Sequence, residues 1–335
     1  MLASIRDLRA RGEALALCLV AATTGSTYRK AGALAVIGAS GVRHGVISGG
    51  CLESGLEAAA AQALAARAPR SVVFDTQGDD DLLFGSASGC RGRMHVLIVP
   101  VPASGPHALC DAMQSADREH QALRLAVLLD GPQVAQGWAW LSGQSIALGN
   151  APLELRALEA LAQGERRVSI QGAMRACAVI ELPPCPRLLL IGAGPEAPVL
   201  IRISQQMGWY VTVLDHRDAL LEANASLADA RLTARPAAGL AQCAATVDAC
   251  VIMTHSAAND LESLRALAPR AEGYVGLLGP PTRRDELLHQ LDAGQRTRLA
   301  PRLRAPVGLH LGGHGPEALA LSIAAQLQAY LAGAE

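Results

Sequence analysis

Two cysteines of this chain stand in glycine-rich surroundings that suit thiolate chemistry. Ser48-Gly-Gly-Cys-Leu-Glu53 puts Cys51 at the first turn of an expected helix. There, unsatisfied N–H groups and the helix dipole favour thiolate over thiol, while the negative charge of Glu53 works against them. Ser86-Ala-Ser-Gly-Cys-Arg-Gly-Arg93 surrounds Cys90 with flexible backbone and two cations, which again favour the thiolate. A soft thiolate can ligate molybdenum or carry a persulfide sulfur. The bland alternative is that each is a small buried hydrophobe, the usual fate of a free cysteine. The other six cysteines, Cys18, Cys110, Cys177, Cys185, Cys243 and Cys250, fall in helices, strands or a linker without such surroundings, and no CxxC pair occurs. Neither a disulfide framework nor a zinc ribbon is expected, and no metal site is assigned with certainty.

A third loop, Thr23-Thr-Gly-Ser-Thr-Tyr-Arg-Lys-Ala-Gly32, follows an apolar strand. Its Ser26 and Thr27 hydroxyls, backbone N–H groups and the cations Arg29 and Lys30 suit one phosphate or a pterin phosphate, or make an ordinary polar hairpin turn. In the second half, Leu188-Leu-Leu-Ile191 followed by Gly192-Ala-Gly194-Pro-Glu-Ala197 fits strand, G-x-G-x-x-A turn and helix, with Asp215 closing the next strand 23 residues after Gly192. The glycines allow close approach of a pyrophosphate to the helix N-terminus, and Asp215 can accept from a ribose. Pro195 suits the first helical turn but removes one N–H from the phosphate cradle. The pattern therefore leaves two readings open, a working nucleotide or pterin-phosphate site and a Rossmann-like scaffold that binds no dinucleotide. His255, in Met253-Thr-His-Ser256, stands past an apolar strand at its carboxyl end, placed either as an acid or base or as a polar cap of the next helix.

The elements that must position these residues divide the chain. Strands are expected at Leu15 to Ala22, Ala33 to Ile37, Val42 to Ile47, Val72 to Asp75 and Met94 to Val99, with a helix over Cys51 to Arg67 beginning at the glycine pair Gly49-Gly50. From Pro102 to Pro186 the signal is weakest: a helix around His107 to Arg118, then strands at Leu123 to Leu129 and Val134 to Leu141. Three prolines within Glu181-Leu-Pro-Pro-Cys-Pro186 mark a linker, which places domains over 1–182 and 187–335 with the linker at 183–186. After it, strands at Arg187 to Ile191, Tyr210 to Asp215, Asp248 to Thr254 and Gly273 to Leu278 alternate with helices at Ala197 to Met207, Leu261 to Ala268 and Pro316 to Leu331, the pattern of a doubly wound parallel sheet. The fold class is α/β: a mixed N-terminal domain followed by a Rossmann-like one.

Composition narrows the function classes. The 335 residues can bury two ordinary cores, and with aromatics at only 3% those cores must be built from Ala, Leu, Val and Ile. Net charge is −1 and no run of five Lys/Arg occurs, so nucleic acid is not an expected partner. Met1 to Thr24 superficially resembles a signal peptide, but Glu13 abuts its apolar stretch; helix, stop at Gly12 and strand is the better reading. No segment approaches the roughly 20 apolar residues of a spanning helix, so no membrane insertion is expected, and scattered thiols fit a reducing, cytoplasmic compartment.

Thr24-Gly-Ser-Thr-Tyr-Arg-Lys-Ala-Gly32 and Gly45-Val-Ile-Ser-Gly-Gly-Cys-Leu-Glu53 resemble the GS-x-P-R-x-x-G and SGGC-(V/L)-E signatures of the XdhC/CoxI family, with Tyr28 where proline is usual. Gly89-Cys-Arg-Gly92 is similar to the family's second cysteine loop, Arg91 replacing a small residue. Val251-Ile-Met-Thr-His255, Tyr274-Val-Gly-Leu-Leu-Gly279 and Ala305-Pro-Val-Gly-Leu-His-Leu-Gly312, followed by Pro316 to Ala324, are similar to its C-terminal blocks in order and spacing. The chain departs where Pro195 takes a histidine place, at Ala257, and at Gly313-His-Gly315. The resemblance implies an accessory chaperone that binds molybdenum cofactor as cargo, supports its sulfuration with a cysteine desulfurase and delivers it to a xanthine-dehydrogenase-type apoenzyme. It also implies a homodimer. On it, Cys51 and Cys90 contact molybdenum or sulfur, and Ser26, Thr27, Arg29, Lys30 and the Gly49-Gly50 turn hold the cofactor. Gly192, Gly194, Asp215 and His255 form the second-domain site. Two other functions stay open: an NAD(P)-dependent oxidoreductase using Gly192, Gly194, Asp215 and His255, and a non-catalytic interaction scaffold.

Overall fold

A computed structural model describes residues 1–50, 52–75, 92–243, 246–270 and 273–334 of the chain. They fall into two compact units, Met1–Pro184 and Cys185–Glu335.

The first unit is built on two five-stranded antiparallel sheets. One has the order β3 (Arg43–His44), β2 (Leu34–Gly38), β1 (Leu15–Gly25), β5 (Gly92–Val101), β4 (Arg70–Asp75). The other has the order β8 (Gln144–Leu148), β7 (Gly137–Leu141), β6 (Leu123–Leu128), β10 (Ala173–Leu182), β9 (Gly164–Ile170). The apolar run of β1 reflects burial on both faces. Leu15, Leu17, Leu19 and Ala21 share a core with Leu123, Leu125 and Val127 of β6 and Ala176, Ala178 and Ile180 of β10. Ala16, Cys18 and Val20 pack on the opposite side with Leu56, Ala59, Ala60 and Ala63 of helix α2 (Glu53–Ala66). Small alanines let that helix close on the sheet. Helices α1 (Leu2–Ala10) and α3 (Ala108–Glu119) add Ile5, Leu8, Leu109 and Met113 to the core shared by the sheets.

The second unit has one parallel sheet, β13 (Ala230–Thr233), β12 (Tyr210–Asp215), β11 (Arg187–Ile191), β14 (Ala249–Ile252), β15 (Tyr274–Leu277), β16 (Leu303–Arg304). Counted within the unit this is the 3-2-1-4-5-6 order of a dinucleotide-binding fold, with its switch point between β11 and β14. Side chains alternate across it: Leu188 and Leu190 join the core of α4 (Ala197–Gln206) and α10 (Gly315–Leu331), while Leu189 and Ile191 join that of α6 (Pro236–Gln242) and α7 (Ala257–Leu267). Helices α5 (Asp218–Asn224), α8 (Pro281–His289) and α9 (Ala293–Leu299) complete the unit.

Several expectations need correction. Val42 to Ile47 yields only the two-residue β3, because Gly45, at φ 80, turns the chain away from the sheet. Strand β10 runs to Leu182, where Glu181 and Leu182 pair with Arg124 and Leu123. Helix α4 starts at Ala197, so Pro195 lies in the turn ahead of it and the proline within its first turn is Pro198. No helix among the described residues is long and apolar enough to cross a membrane.

Candidate functional site

In the first unit, two described loops that carry chemistry, Ser26 to Lys30 and the glycine pair ahead of α2, lie beside each other. Strand β1 leads into the Ser26 to Lys30 loop, where Ser26, Arg29 and Lys30 are exposed and the Lys30 ammonium reaches the Thr27 hydroxyl at 3.4 Å. The glycine pair ahead of α2 lies beside it: a Cβ built on Gly49 would stand 3.8 Å from Tyr28 Cδ2. Gly92, which opens β5, is pressed against the same loop, and a Cβ there would meet the Ser26 carbonyl oxygen at 2.4 Å and Thr27 Cγ2 at 2.7 Å. Only glycine permits that approach. Cys51 and Cys90 themselves lie outside the described residues, as does Arg91. Gly49 and Gly92, each two residues from one of these cysteines in the sequence, both approach the Ser26 to Lys30 loop.

The Cys51 loop is organised by residues whose types alone do not mark them out. The Ser48 hydroxyl, in a residue 2% exposed, accepts the amides of Gly50 at 3.2 Å and Leu52 at 3.3 Å, one on each side of Cys51, and donates to Glu53 Oε1 at 2.8 Å. Arg43 pairs with the other Glu53 oxygen and also reaches Glu57 at 3.4 Å. The Glu53 charge therefore has a cation against it and sits in the first turn of α2, where the dipole favours an anion. Gly50 holds φ 115, a backbone region reserved for glycine.

Burial makes poor nucleophiles of three described cysteines, whereas Cys185 and Cys243 are half-buried. It pushes the Cys18 thiol up to about 12, with a further contribution from Glu53, and the Cys110 and Cys177 thiols up to about 11. Cys250 is likewise buried.

In the second unit the carboxyl ends of β11, β12 and β14 carry the other candidates. Gly192, at φ 115, would put a Cβ 2.4 Å from the Met253 carbonyl oxygen, so the glycine is required by contact between β11 and β14. The Asp215 side chain, 2% exposed, accepts the Ala193 amide at 2.8 Å, the Arg217 amide at 3.0 Å and the Arg217 guanidinium at 2.9 and 2.7 Å. Burial alone would raise its carboxyl pKa, but these hydrogen bonds together outweigh it and hold the group below its ordinary range. His216 Nδ1 lies 3.3 Å from the same carboxylate. These residues border a small, partly open pocket lined by Ile191, Leu214, Ala234, Pro236, Thr254 and Asn259 together with Gly192, Asp215 and His216.

His255 does not cap α7, whose N-cap residue is Ser256. It sits in the left-handed region at φ 56 and its Nε2 is 3.1 Å from Glu196 Oε2. Sequence reasoning misses Glu196, since a lone acid beside a glycine turn carries no signal.

Two family models match the chain. Residues 8–75 match the XdhC and CoxI family, and residues 188–327 match the XdhC Rossmann domain. A relative from Bacillus subtilis (strain 168), whose name makes it a probable subunit of xanthine dehydrogenase, is 28% identical over 337 residues, covering 94% of this chain and 92% of that protein. The crystal structure of a xanthine dehydrogenase from Bacillus halodurans superposes with a TM-score of 0.78 at 27% identity, covering 100% of this chain and 96% of that one. The matched stretches contain the Ser26 to Lys30 loop and the Gly49 to Cys51 turn of the first unit and most of the parallel-sheet unit. The chain belongs to the XdhC/CoxI family.

Proposed function

We propose that the protein is an accessory factor of a xanthine-dehydrogenase-type molybdoenzyme. It binds molybdenum cofactor as cargo, shelters it while the terminal sulfur is added with a cysteine desulfurase as donor, and passes it to the apoenzyme, working as a homodimer. Family membership and the names of the two relatives support the association with xanthine dehydrogenase.

The observation that carries the cargo reading is the meeting of the Ser26 to Lys30 loop with Gly49 on one side and Gly92 on the other. Exposed cations and hydroxyls beside two cysteine loops combine a phosphate grip with soft ligands, the two chemistries a pterin phosphate carrying molybdenum requires. On this reading the Cys51 and Cys90 thiolates contact molybdenum or its sulfur, and Ser26, Thr27, Arg29 and Lys30 hold the phosphate. Ser48 and Glu53 fix the turn that presents Cys51. Cys18, Cys110 and Cys177 are buried and poorly acidic, which disfavours them for this role.

The test is activation of the client enzyme in cells supplied with Cys51→Ala/Cys90→Ala protein. Loss of activation with unchanged amounts of both proteins is the expected result; full activation would refute the thiol role.

A further inference from the structure

We infer that the glycine-rich turn of the second unit is plugged by its own Glu196–His255 pair, so that this unit refuses dinucleotides and serves as a scaffold. In a G-x-G-x-x-A turn the missing side chain of the second glycine leaves a face against which a pyrophosphate can rest. Here that face is filled. A Cβ built on Gly194 would meet Glu196 Oε2 at 2.8 Å and His255 Nε2 at 2.8 Å, with His255 Cδ2 at 3.0 Å. The space that glycine vacates holds a carboxylate and an imidazole of the protein itself.

The plug is built in from both sides. The Glu196 side chain is only 8% exposed and its oxygen meets the imidazole at 3.1 Å. His255 keeps a left-handed backbone, uncommon for a non-glycine residue, between Thr254 and Ser256. The Thr254 hydroxyl accepts the Ser256 amide at 3.1 Å and donates to buried Asp260, which Arg283 grips in turn at 2.6 and 3.1 Å. The turn that presents His255 is therefore anchored to α7 and α8.

Two further features point the same way. Phosphate binding at a helix N-terminus draws on free N–H groups, yet Pro195 and Pro198 have none, and the Ala197 amide is already bonded to the Gly194 carbonyl. Asp215, the residue placed for a ribose, has both oxygens engaged by Ala193 and Arg217, so a sugar would have to displace a guanidinium. A carboxylate at the pyrophosphate position adds like-charge repulsion in a partly dehydrated place. Glu196 is thus the residue that sets specificity against anions, and the conclusion stands whether or not the first unit carries molybdenum cofactor.

Full-length protein is titrated calorimetrically with NAD⁺, NADH and NADP⁺ up to about 1 mM. The same titrations are run on Glu196→Gln, which removes the charge and keeps the shape, and on Glu196→Ala, which also opens the space. Thermal melts confirm that each variant is folded. The wild type shows no saturable binding, and at least one folded variant gains binding about tenfold or more above the wild-type limit. Saturable binding by the wild type overturns the inference by itself, without any variant. So does failure of the folded variants to gain binding, since the closure would then lie elsewhere.

Discussion

Replacing Ser48 by alanine removes one hydroxyl that holds three partners around Cys51. Its bonds to the Gly50 and Leu52 amides are long, at 3.2 and 3.3 Å, and neutral, so each contributes at the low end of about 0.5–1.5 kcal/mol. The 2.8 Å bond to Glu53 is charge-assisted and contributes about 1.5 kcal/mol, with Arg43 still paired to that carboxylate after the change. Partial rehydration of the freed amides offsets some of the sum, which leaves about 2 kcal/mol. This is local: the hydroxyl's three hydrogen bonds all end on the turn and the start of α2. Amide exchange at Leu52 and Gly50 should therefore accelerate about 30-fold, since about 1.4 kcal/mol is a factor of ten. Amides in β1 and β5 should stay within about threefold of wild type. Alkylation of Cys51 by iodoacetamide, followed by peptide mass spectrometry, should change in rate in the same sample. If the Leu52 amide exchanges as in wild type and Cys51 alkylation is unaltered, the Ser48 clamp is not what holds this loop.

Other substitutions probe the second unit. Because its hydrogen bonds keep the Asp215 carboxyl below the ordinary range, the stability it lends is present above the unfolded value near about 3.9 and is lost as pH falls through the lower folded value. Asp215→Asn should cost about 2 kcal/mol at neutral pH and flatten that acid-side loss in urea titrations; an unchanged acid limb would show that another group governs it. Gly192→Ala forces a Cβ to 2.4 Å from the Met253 carbonyl at φ 115 and should cost at least about 2 kcal/mol, a fall of at least about 4 °C in melting temperature. Gly208→Ala, with a left-handed φ and open space around it, should cost about half as much in the same melts. Tyr274→Phe removes the 2.6 Å bond to Gln326, which keeps the Gly308 amide as its other partner, and should lower urea stability by about 1 kcal/mol.

Burial on two faces made β1 readable as an unbroken apolar run, and the same cause exposes β11 and β14 in the sequence. The second sheet of the first unit was half hidden. In β9, Glu165, Arg167 and Ser169 point to solvent and mask the half that packs. Its signal lay in the turns: Ser142-Gly143 and Gln171-Gly172 each take positive φ at both residues, the two-residue hairpin geometry that joins β7 to β8 and β9 to β10. The compact units divide at Pro184 and Cys185, within a run of prolines, which cannot continue a ladder. At the sites, residue types pointed to the loops, while the partners that set their geometry did not show. Ser48 and Glu53 stand within the quoted signature, yet nothing local says that one oxygen gathers two amides and a carboxylate. Glu196 is more hidden still, as its meaning depends on His255, 59 residues away.

The central claim, that this chain carries molybdenum cofactor at its glycine and cysteine loops, is tested most directly by anaerobic titration of the purified protein with the cofactor. Binding is scored by fluorescence of the oxidised pterin and by metal analysis, for wild type and for Cys51→Ala. Near-stoichiometric cofactor on the wild type, weakened by the substitution, is the predicted result. No cofactor on the wild type would contradict the account.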